Sequence, residues 1–223
     1  MRTTTIFLSL MFFILTGSSY AGGKKTSGFN GTIKYKITAE GRELTPQEQA
    51  GMPTDVVEYY LGDLHRKDIV TPMYSMITIV NESTKETTIL MDYMGKKLYI
   101  TKTGEEIKAL KAKKDSAADK KPDVKLLDGT KTIAGYTCKK AKMTDGENSV
   151  EVYYTNDLPI ESDDFDGLPG FPMQYTMDIP QDEELSLVYT ASEVIKKKPS
   201  KKLFQIPRDY EKMTPEMAKQ FGM

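Results

Sequence analysis

Apolar and polar residues alternate along most of the chain, and this two-residue period predicts β-strands. In the clearest run, residues 32–39, Ile33, Tyr35, Ile37 and Ala39 alternate with threonine and lysine. Such alternation is typical of a strand with one buried and one exposed face. Because the runs are short and joined by short turns, they argue against a parallel sheet with crossover helices.

The same pattern predicts the remaining strands. Residues 56–70 read as a hairpin that turns at Gly62 and Asp63, and residues 74–102 as a meander of three antiparallel strands. After Asp128 and Gly129 the chain returns to strands, which we place at 132–143, 150–154, 171–177 and 185–191. The sequence predicts a mainly β (α+β) fold: a curved antiparallel sheet that forms an open half-barrel with short helices.

Three segments interrupt the strand pattern. Thr45 and Glu48 form a capping box around Pro46, which predicts one or two helical turns. Residues 105–127 are rich in Lys, Ala and Asp, and we interpret them as a solvated linker or exposed helix because acidic residues interleave with the lysines. A short C-terminal helix is expected within 212–223, where Thr214 and Pro215 can begin it.

The amino terminus has the layout of a cleavable signal peptide. Arg2 supplies the positive start, an apolar run of about half a membrane span follows, and small residues lead up to Ala21. We predict cleavage after Ala21, with residues 22–223 as a single domain. Since the single Cys, Cys138, is far from the cut and not just after it, a lipoprotein is not expected, and the mature protein should be periplasmic or secreted.

Composition excludes several classes of function. The chain has 31 basic and 32 acidic residues and a net charge of -1, which gives no field that would hold a nucleic-acid backbone. One His and one Cys exclude a multi-histidine metal site and an intramolecular disulfide within one chain. No cofactor, metal or disulfide-linked partner is predicted.

The two residues best suited to nucleophilic chemistry each have a plainer interpretation. His65 would be the base of any imidazole mechanism, but it lies in a charged hairpin arm, so a surface position on a strand is favoured. Cys138 has no partner in an oxidising compartment and is expected to be buried. No catalytic residue is assigned.

The acidic stretch 161–166 suggests a calcium site, because closely spaced carboxylates suit a hard cation. In the helix-loop-helix register, however, the position of the closing glutamate falls on Met173. A solvated acidic loop is therefore favoured, and cation binding there stays open.

Methionine and tyrosine dominate the remaining apolar signal. Methionine adapts to irregular apolar partners, so a curved sheet lined by these residues could hold an acyl chain; an ordinary methionine-containing core is the alternative. The residues placed in this ligand-binding hypothesis are Met73, Met76, Met91, Met173, Tyr175 and Met177.

Three motifs resemble a known exported bacterial family, domain of unknown function 4412. They are the stretches 133–141 (IAGYTCKKA), 152–159 (VYYTNDLP) and 203–210 (LFQIPRDY). Gly167, Leu168, Pro169, Gly170 and Phe171 also resemble the signature of the related GLPGF proteins, and we interpret this motif structurally, as a tight loop before a strand. The resemblance implies a LolA/LolB-like half-barrel, a fold that carries lipids or lipidated proteins, and it supplies no catalytic residues.

The functional hypothesis is an exported cell-envelope protein that binds a lipid, a lipoprotein acyl chain or another apolar ligand in the concave face of its sheet. The alternative is a structural or protein-interaction module without a ligand. A hydrolase is a third, less favoured option. The protein is not expected to be an enzyme, to bind nucleic acid or to span a membrane.

Overall fold

The computed structural model describes residues 28–114, 122–145, 148–162, 165–179 and 182–220. The predicted signal peptide, residues 1–21, lies outside these ranges. In the first half of the chain the strands are β1 (Asn30–Glu40), β2 (Asp55–Leu61), β3 (Leu64–Val70), β4 (Tyr74–Asn81), β5 (Glu86–Tyr93) and β6 (Lys96–Lys102). In the second half they are β7 (Asp123–Ile133), β8 (Tyr136–Asp145), β9 (Asn148–Thr155), β10 (Phe171–Ile179), β11 (Asp182–Ile195) and β12 (Glu211–Lys212).

Helices are short and lie between or after the strands. They are α1 (Pro46–Gly51), α2 (Gly104–Lys114), a 3-10 helix (Lys201–Phe204) and α3 (Pro215–Gln220). The predicted capping box is present at α1, because Thr45 accepts from the backbone of Glu48 and the Glu48 side chain accepts from the backbone of Thr45. None of the helices in the described ranges is long and apolar enough to cross a membrane.

All twelve strands belong to one large curved open sheet. Their order is β12-β6-β5-β4-β3-β2-β1-β11-β10-β9-β8-β7, and every neighbouring pair is antiparallel except β12 and β6, which are parallel. The two halves of the chain meet where β1 pairs with β11 at the centre of the sheet. This architecture confirms the predicted mainly β fold with an antiparallel meander over β4, β5 and β6.

The structure differs from the prediction around β7. Helix α2 does occupy the start of the predicted linker, but β7 begins at Asp123, so the last five residues of 105–127 belong to the sheet. Asp128 and Gly129 lie in a break of register inside β7 instead of ending a turn. The turn itself is at Ala134 and Gly135, so the predicted strand 132–143 is in fact the end of β7 and the start of β8.

The main hydrophobic core lies on one face of the sheet, which we call the inner face and define by Ile33, Tyr35 and Ile37 of β1. Residues of the β9–β10 connection, including Leu158 and Ile160, pack into the same core. The Tyr35 hydroxyl donates a hydrogen bond of 2.9 Å to the carbonyl of Pro172, which ties the central strand to β10.

The C-terminal segment crosses the opposite, outer face and ends at the β6 edge. Arg66 on β3 donates to the carbonyl of Leu203, and Lys97 on β6 forms a 2.7 Å ion pair with Asp209. The chain then adds β12 to β6 and continues into α3. There the chain has passed round the β6 edge, because Met213 and Met217 pack with the inner-face residues Met91, Leu98 and Ile100 in a second small core. The expected C-terminal helix is thus Pro215–Gln220, while residue 212 is in β12 and 221–223 lie outside the described ranges.

We expect Met173→Ala to destabilise the protein by about 2–5 kcal/mol, because Met173 is 0% exposed in the main core and the truncation leaves a cavity. Met94→Ala is the matched control, since Met94 is 81% exposed, and it should change the free energy of unfolding by less than about 0.5 kcal/mol. Urea denaturation measures both. Equal effects of the two substitutions would contradict the placement of the core.

Candidate functional site

Cross-strand register aligns the inner face of β1–β6 into three parallel rows of side chains. We call the first the buried row. Each of its residues is the cross-strand partner of the next, from β1 to β6, and all are buried: Tyr35, Val56, Ile69, Met76, Met91 and Leu98. Since side chains two apart on a strand share a face, the next row lies about 7 Å along the strands.

The second and third rows are progressively more polar. The mixed row consists of Ile33, Glu58, Lys67, Thr78, Ile89 and Ile100. The polar row consists of Gly31, Tyr60, His65, Val80, Thr87 and Lys102. Three residues of each of these rows are only partly buried. They are Lys67, Thr78 and Ile100 in the mixed row and His65, Val80 and Lys102 in the polar row. The inner face therefore changes from packed and apolar to accessible and polar.

An ionic cluster of Glu58, Tyr60, His65 and Lys67 lies at this transition. The Tyr60 hydroxyl donates to Glu58 Oε2. The Nζ of Lys67 is 3.8 Å from Glu58 Oε1, and the Nε2 of His65 is 3.8 Å from Glu58 Oε2. The side chain of Glu58 is 10% exposed, that of Lys67 16% and that of His65 29%. The carboxylate is thus the buried base of the cluster, and the side chains of Lys67 and His65 are partly exposed, although the Nε2 atom of His65 is itself buried.

The charge of Glu58 is fixed by its neighbours. Burial raises the pKa of this carboxyl group, but the contact with His65, the charge of Lys67 and the Tyr60 hydroxyl outweigh burial and hold the pKa at about 2, below the ordinary 4.5. Glu58 is therefore an anion at any physiological pH. A group that stays ionised in this way can orient neighbours or a ligand, but it is poorly matched to general acid catalysis near neutral pH.

His65 is on a strand, as expected, but not at the exposed surface that the sequence suggested. Its ring stacks on Tyr60, with centroids 4.6 Å apart and planes 11° from parallel. Its Nε2 is buried and has no hydrogen-bond partner among the described residues. The charged residues around His65 in sequence suggested an exposed position. Because alternate residues of β3 face opposite sides of the sheet, its immediate neighbours in sequence do not share the environment of His65.

The structure divides the six residues of the ligand hypothesis between three places. Met76 and Met91 are cross-strand partners in the buried row. Met173 and Tyr175 are buried on β10 in the main core, where Met177 also packs. Met73 instead lies in the turn between β3 and β4. Ligand contact by these residues stays a prediction. We call the mixed and polar rows together the accessible rows. A ligand on the accessible rows would contact Met76 and Met91 only where the buried row borders them.

The GLPGF-like motif forms the approach to β10. Gly167 has a φ of 89°, a conformation that favours glycine, and the carbonyl of Pro169 accepts a 2.7 Å hydrogen bond from Asn156. A Cβ at Gly170 would lie 2.3 Å from the carbonyl oxygen of Thr155. Leu168 packs on the main core, and Phe171 is buried against Tyr60.

Cys138 and the acidic stretch 161–166 are the other two sequence candidates, and cation binding by the stretch stays a prediction. Cys138 is buried as expected, and burial raises the pKa of its thiol, which disfavours the reactive thiolate. Residues 163 and 164 of the acidic stretch 161–166 lie outside the described ranges. Across the described parts of the chain, no group of three or more His, Cys, Asp or Glu side chains could hold a metal ion.

An open surface depression lies beside α1, lined by Ala39, Gly41, Arg42, Glu43, Leu44 and Gln49. Its one guanidinium group, on Arg42, binds Glu48 at 2.7 Å and also contacts Asp182. These two carboxylates occupy the donors that a ligand would need. The depression is therefore a weaker candidate than the ionic cluster.

Comparison with protein families gives a match to the model described as "N-glycanase peptide, N-terminal domain", over residues 70–168. No curated protein matches the chain. This family is not domain of unknown function 4412. Membership of that family, and the GLPGF assignment, stay predictions.

Among solved structures, the chain is similar to PNGF-II, with a TM-score of 0.50 and 17% identity over 87% of this chain and 33% of that chain. This likeness shows the fold, and the chain spans about a third of the length of PNGF-II. A structure of MucB in complex with MucA(peri) has a TM-score of 0.39 and 12% identity, over 87% of this chain and 59% of that one. A LolA superfamily protein from Nitrosomonas europaea has a TM-score of 0.26 and 10% identity, over 86% and 97%.

We expect Glu58→Gln to destabilise the protein by about 3 kcal/mol at pH 7, because it leaves Lys67 without its buried counterion. The pKa of Glu58 is lowered on folding, so its contribution is complete above pH 4.5 and is lost as the pH falls through 2. The difference in unfolding free energy between wild type and variant should therefore shrink between these pH values.

Glu193→Gln is the control for this prediction. Glu193 pairs with Lys34, but its side chain is 51% exposed, so the change should cost less than about 0.5 kcal/mol. Chemical denaturation followed at pH 7, 4 and 3 measures all three proteins. A gap between wild type and Glu58→Gln that does not depend on pH would contradict the assigned ionisation.

Proposed function

We propose that this chain is an exported, non-catalytic binding module that takes an amphipathic ligand on the accessible rows of its inner face. The polar end of the ligand binds beside Lys67, His65 and Lys102. Its apolar chain lies along Val80 and Ile100. The ligand class is a fatty acid or an acylated peptide with an anionic head.

The observation that carries this proposal is the graded polarity of the inner face. A purely structural core would bury the whole face, as the buried row does, but the mixed and polar rows leave cationic and aliphatic side chains partly exposed side by side. Long flexible cations are suited to such a boundary, because their apolar stems cover aliphatic surface while their charged ends stay hydrated. A ligand with both characters matches this surface better than a purely apolar one.

A binding role accounts for the chemistry of the ionic cluster. Glu58 is permanently ionised, so it serves to hold Lys67 and His65 in place and not to exchange protons with a substrate. The family match is to a region described as an N-terminal domain, which agrees with the proposal of a binding module.

Binding is tested with a fluorescent fatty-acid analogue and with native mass spectrometry of the purified protein, followed by solvent extraction. We expect the analogue to bind and Lys102→Ala to weaken it about tenfold, since a charge-assisted contact is lost. Lys97→Ala is the matched control: it removes a lysine from the same strand, β6, but on the outer face, where it pairs with Asp209.

Two results would overturn the ligand proposal. One is repeated absence of bound lipid combined with no uptake of the analogue, which would favour a protein-interaction module with a solid core. The other is equal weakening by Lys102→Ala and Lys97→Ala, which would place the binding outside the inner face.

Export is tested by the mass of the protein recovered from the cell envelope or medium. We expect an N-terminus at Gly22, because Ser19 and Ala21 provide the small residues that signal peptidase requires. Ala21→Arg should prevent this cut and leave a heavier protein in the membrane fraction. Recovery of the wild-type chain with Met1 retained would contradict the proposal.

A further inference from the structure

The connection between β11 and β12 concentrates positive charge. We call residues 196–208 the basic segment, because they include five lysines and one arginine and no acidic residue. The whole chain has a net charge of -1, so the six charges of this segment leave the rest of the sequence at -7. The segment thus differs from the lysine-rich residues 105–127, where acidic residues interleave. Its cations are Lys196, Lys197, Lys198, Lys201, Lys202 and Arg208.

These six cations face solvent and lack acidic partners in the fold. All six are exposed, and none forms an ion pair with a carboxylate of the described ranges. The Nζ of Lys196 lies 5.3 Å from the centroid of the Tyr136 ring, a contact that leaves its charge in place. Like charges held close together repel one another. An anionic partner outside the chain would remove this repulsion.

The backbone of the basic segment is held against the outer face of the sheet. Ser200 caps the 3-10 helix by accepting a hydrogen bond of 3.3 Å from the backbone of Lys202. Arg66 on β3 donates to the carbonyl of Leu203, and Asp209, directly after the segment, pairs with Lys97. Folding therefore presents the cations from a fixed backbone, which lowers the entropic cost of binding.

The chemistry of the segment fits an extended anionic surface better than a single small anion. The backbone N–H groups of Lys202, Leu203 and Gln205 already bond to Ser200 or Lys202, so these donors are not free to cradle a phosphate. Lysine ammonium groups act as separate point charges without the fixed fork of a guanidinium. Several such charges side by side match a surface that repeats the same anionic group.

An exposed aliphatic residue distinguishes a lipid surface from other polyanions. Ile206 is 39% exposed and follows Lys202 and precedes Arg208 in the segment. Single-stranded nucleic acid would need an exposed aromatic ring for base stacking, whereas Phe204 is half-buried. At a bilayer surface, an aliphatic side chain can enter the acyl boundary while neighbouring cations stay with the headgroups. The combination therefore favours lipid.

We propose that the basic segment docks the protein on a bilayer surface that contains anionic phospholipids. Its lysines and Arg208 lie beside the headgroup phosphates, and Ile206 enters the interface. Many weak electrostatic contacts add up in this kind of binding. The remaining, negatively charged part of the molecule is repelled by the same surface, so the protein docks in one orientation.

The probe is a vesicle of equal parts phosphatidylglycerol and phosphatidylcholine, and the comparison is a vesicle of phosphatidylcholine alone. Co-sedimentation measures binding of the full mature chain. We expect at least about tenfold tighter binding to the anionic vesicles in about 0.1 M salt. The preference should shrink in about 0.5 M salt, because salt screens exposed charges. Equal binding to both kinds of vesicle would overturn the proposal.

A pair of charge reversals locates the contact. Lys197→Glu combined with Lys198→Glu should weaken binding to the anionic vesicles at least about tenfold. The matched control is Lys96→Glu combined with Lys125→Glu, which gives the same net charge at two exposed lysines outside the segment. This control should change binding by no more than about twofold. Equal weakening by the two double variants would show a response to net charge alone and refute docking through the segment.

Ile206→Ser separates a lipid surface from a soluble polyanion. It should weaken binding to the anionic vesicles about threefold, since apolar contact with the interface is lost. Binding of inorganic polyphosphate should not change. An unaltered affinity of Ile206→Ser for vesicles, or tighter binding of duplex DNA or an acidic peptide than of the vesicles, would assign the segment to a different partner and contradict the proposal.

Docking does not depend on the inner-face ligand, and the two can fail separately. The Lys197→Glu and Lys198→Glu pair should leave binding of the fluorescent fatty-acid analogue unchanged, whereas Lys102→Ala should leave vesicle binding unchanged. If Lys102→Ala weakened vesicle binding as much as the double reversal does, the vesicle lipid would be bound on the inner face, and docking through the segment would be wrong.

Discussion

The unbroken cross-strand register of β1–β6 is the constraint on which the candidate site depends. Antiparallel pairing without a slip keeps one set of side chains on the inner face across six strands, and a shift of one residue would send every member to the other face. The same register sorts the inner face into rows of increasing polarity. The site is therefore a property of the whole half-sheet and not of a single loop.

Within that register, the buried carboxylate of Glu58 orients the polar side chains at the boundary between the buried and the partly exposed parts of the face. Glu58 is an anion in a largely desolvated position, and Lys67 and His65 are oriented towards it from the neighbouring strand. Burying such a charge is tolerated only because partners surround it. A cluster of this kind contributes little net stability compared with an apolar replacement.

Local patterns predicted much of the fold but not the site. The alternation of Ile33 to Ala39 and the capping box at Thr45 identify β1 and α1, because each depends on neighbouring residues. The turn at Ala134 was missed because alanine rarely adopts its φ of 48°, while Asp128 and Gly129 resemble a turn and form a register break. The ionic cluster had a readable signal: counting outward from the turn at Gly62 pairs residue 58 with 67 and 60 with 65. What no local pattern could supply is the meeting of β1 with β11, which lie far apart in sequence.

The most direct measurement of the central claim is methyl NMR of the protein with a spin-labelled fatty acid. If the accessible rows of the inner face bind the ligand, the methyl signals of Val80 and Ile100 broaden, while those of Val70, exposed on the outer face, keep their width. Broadening of Val70 without change at Val80 and Ile100 would contradict the account.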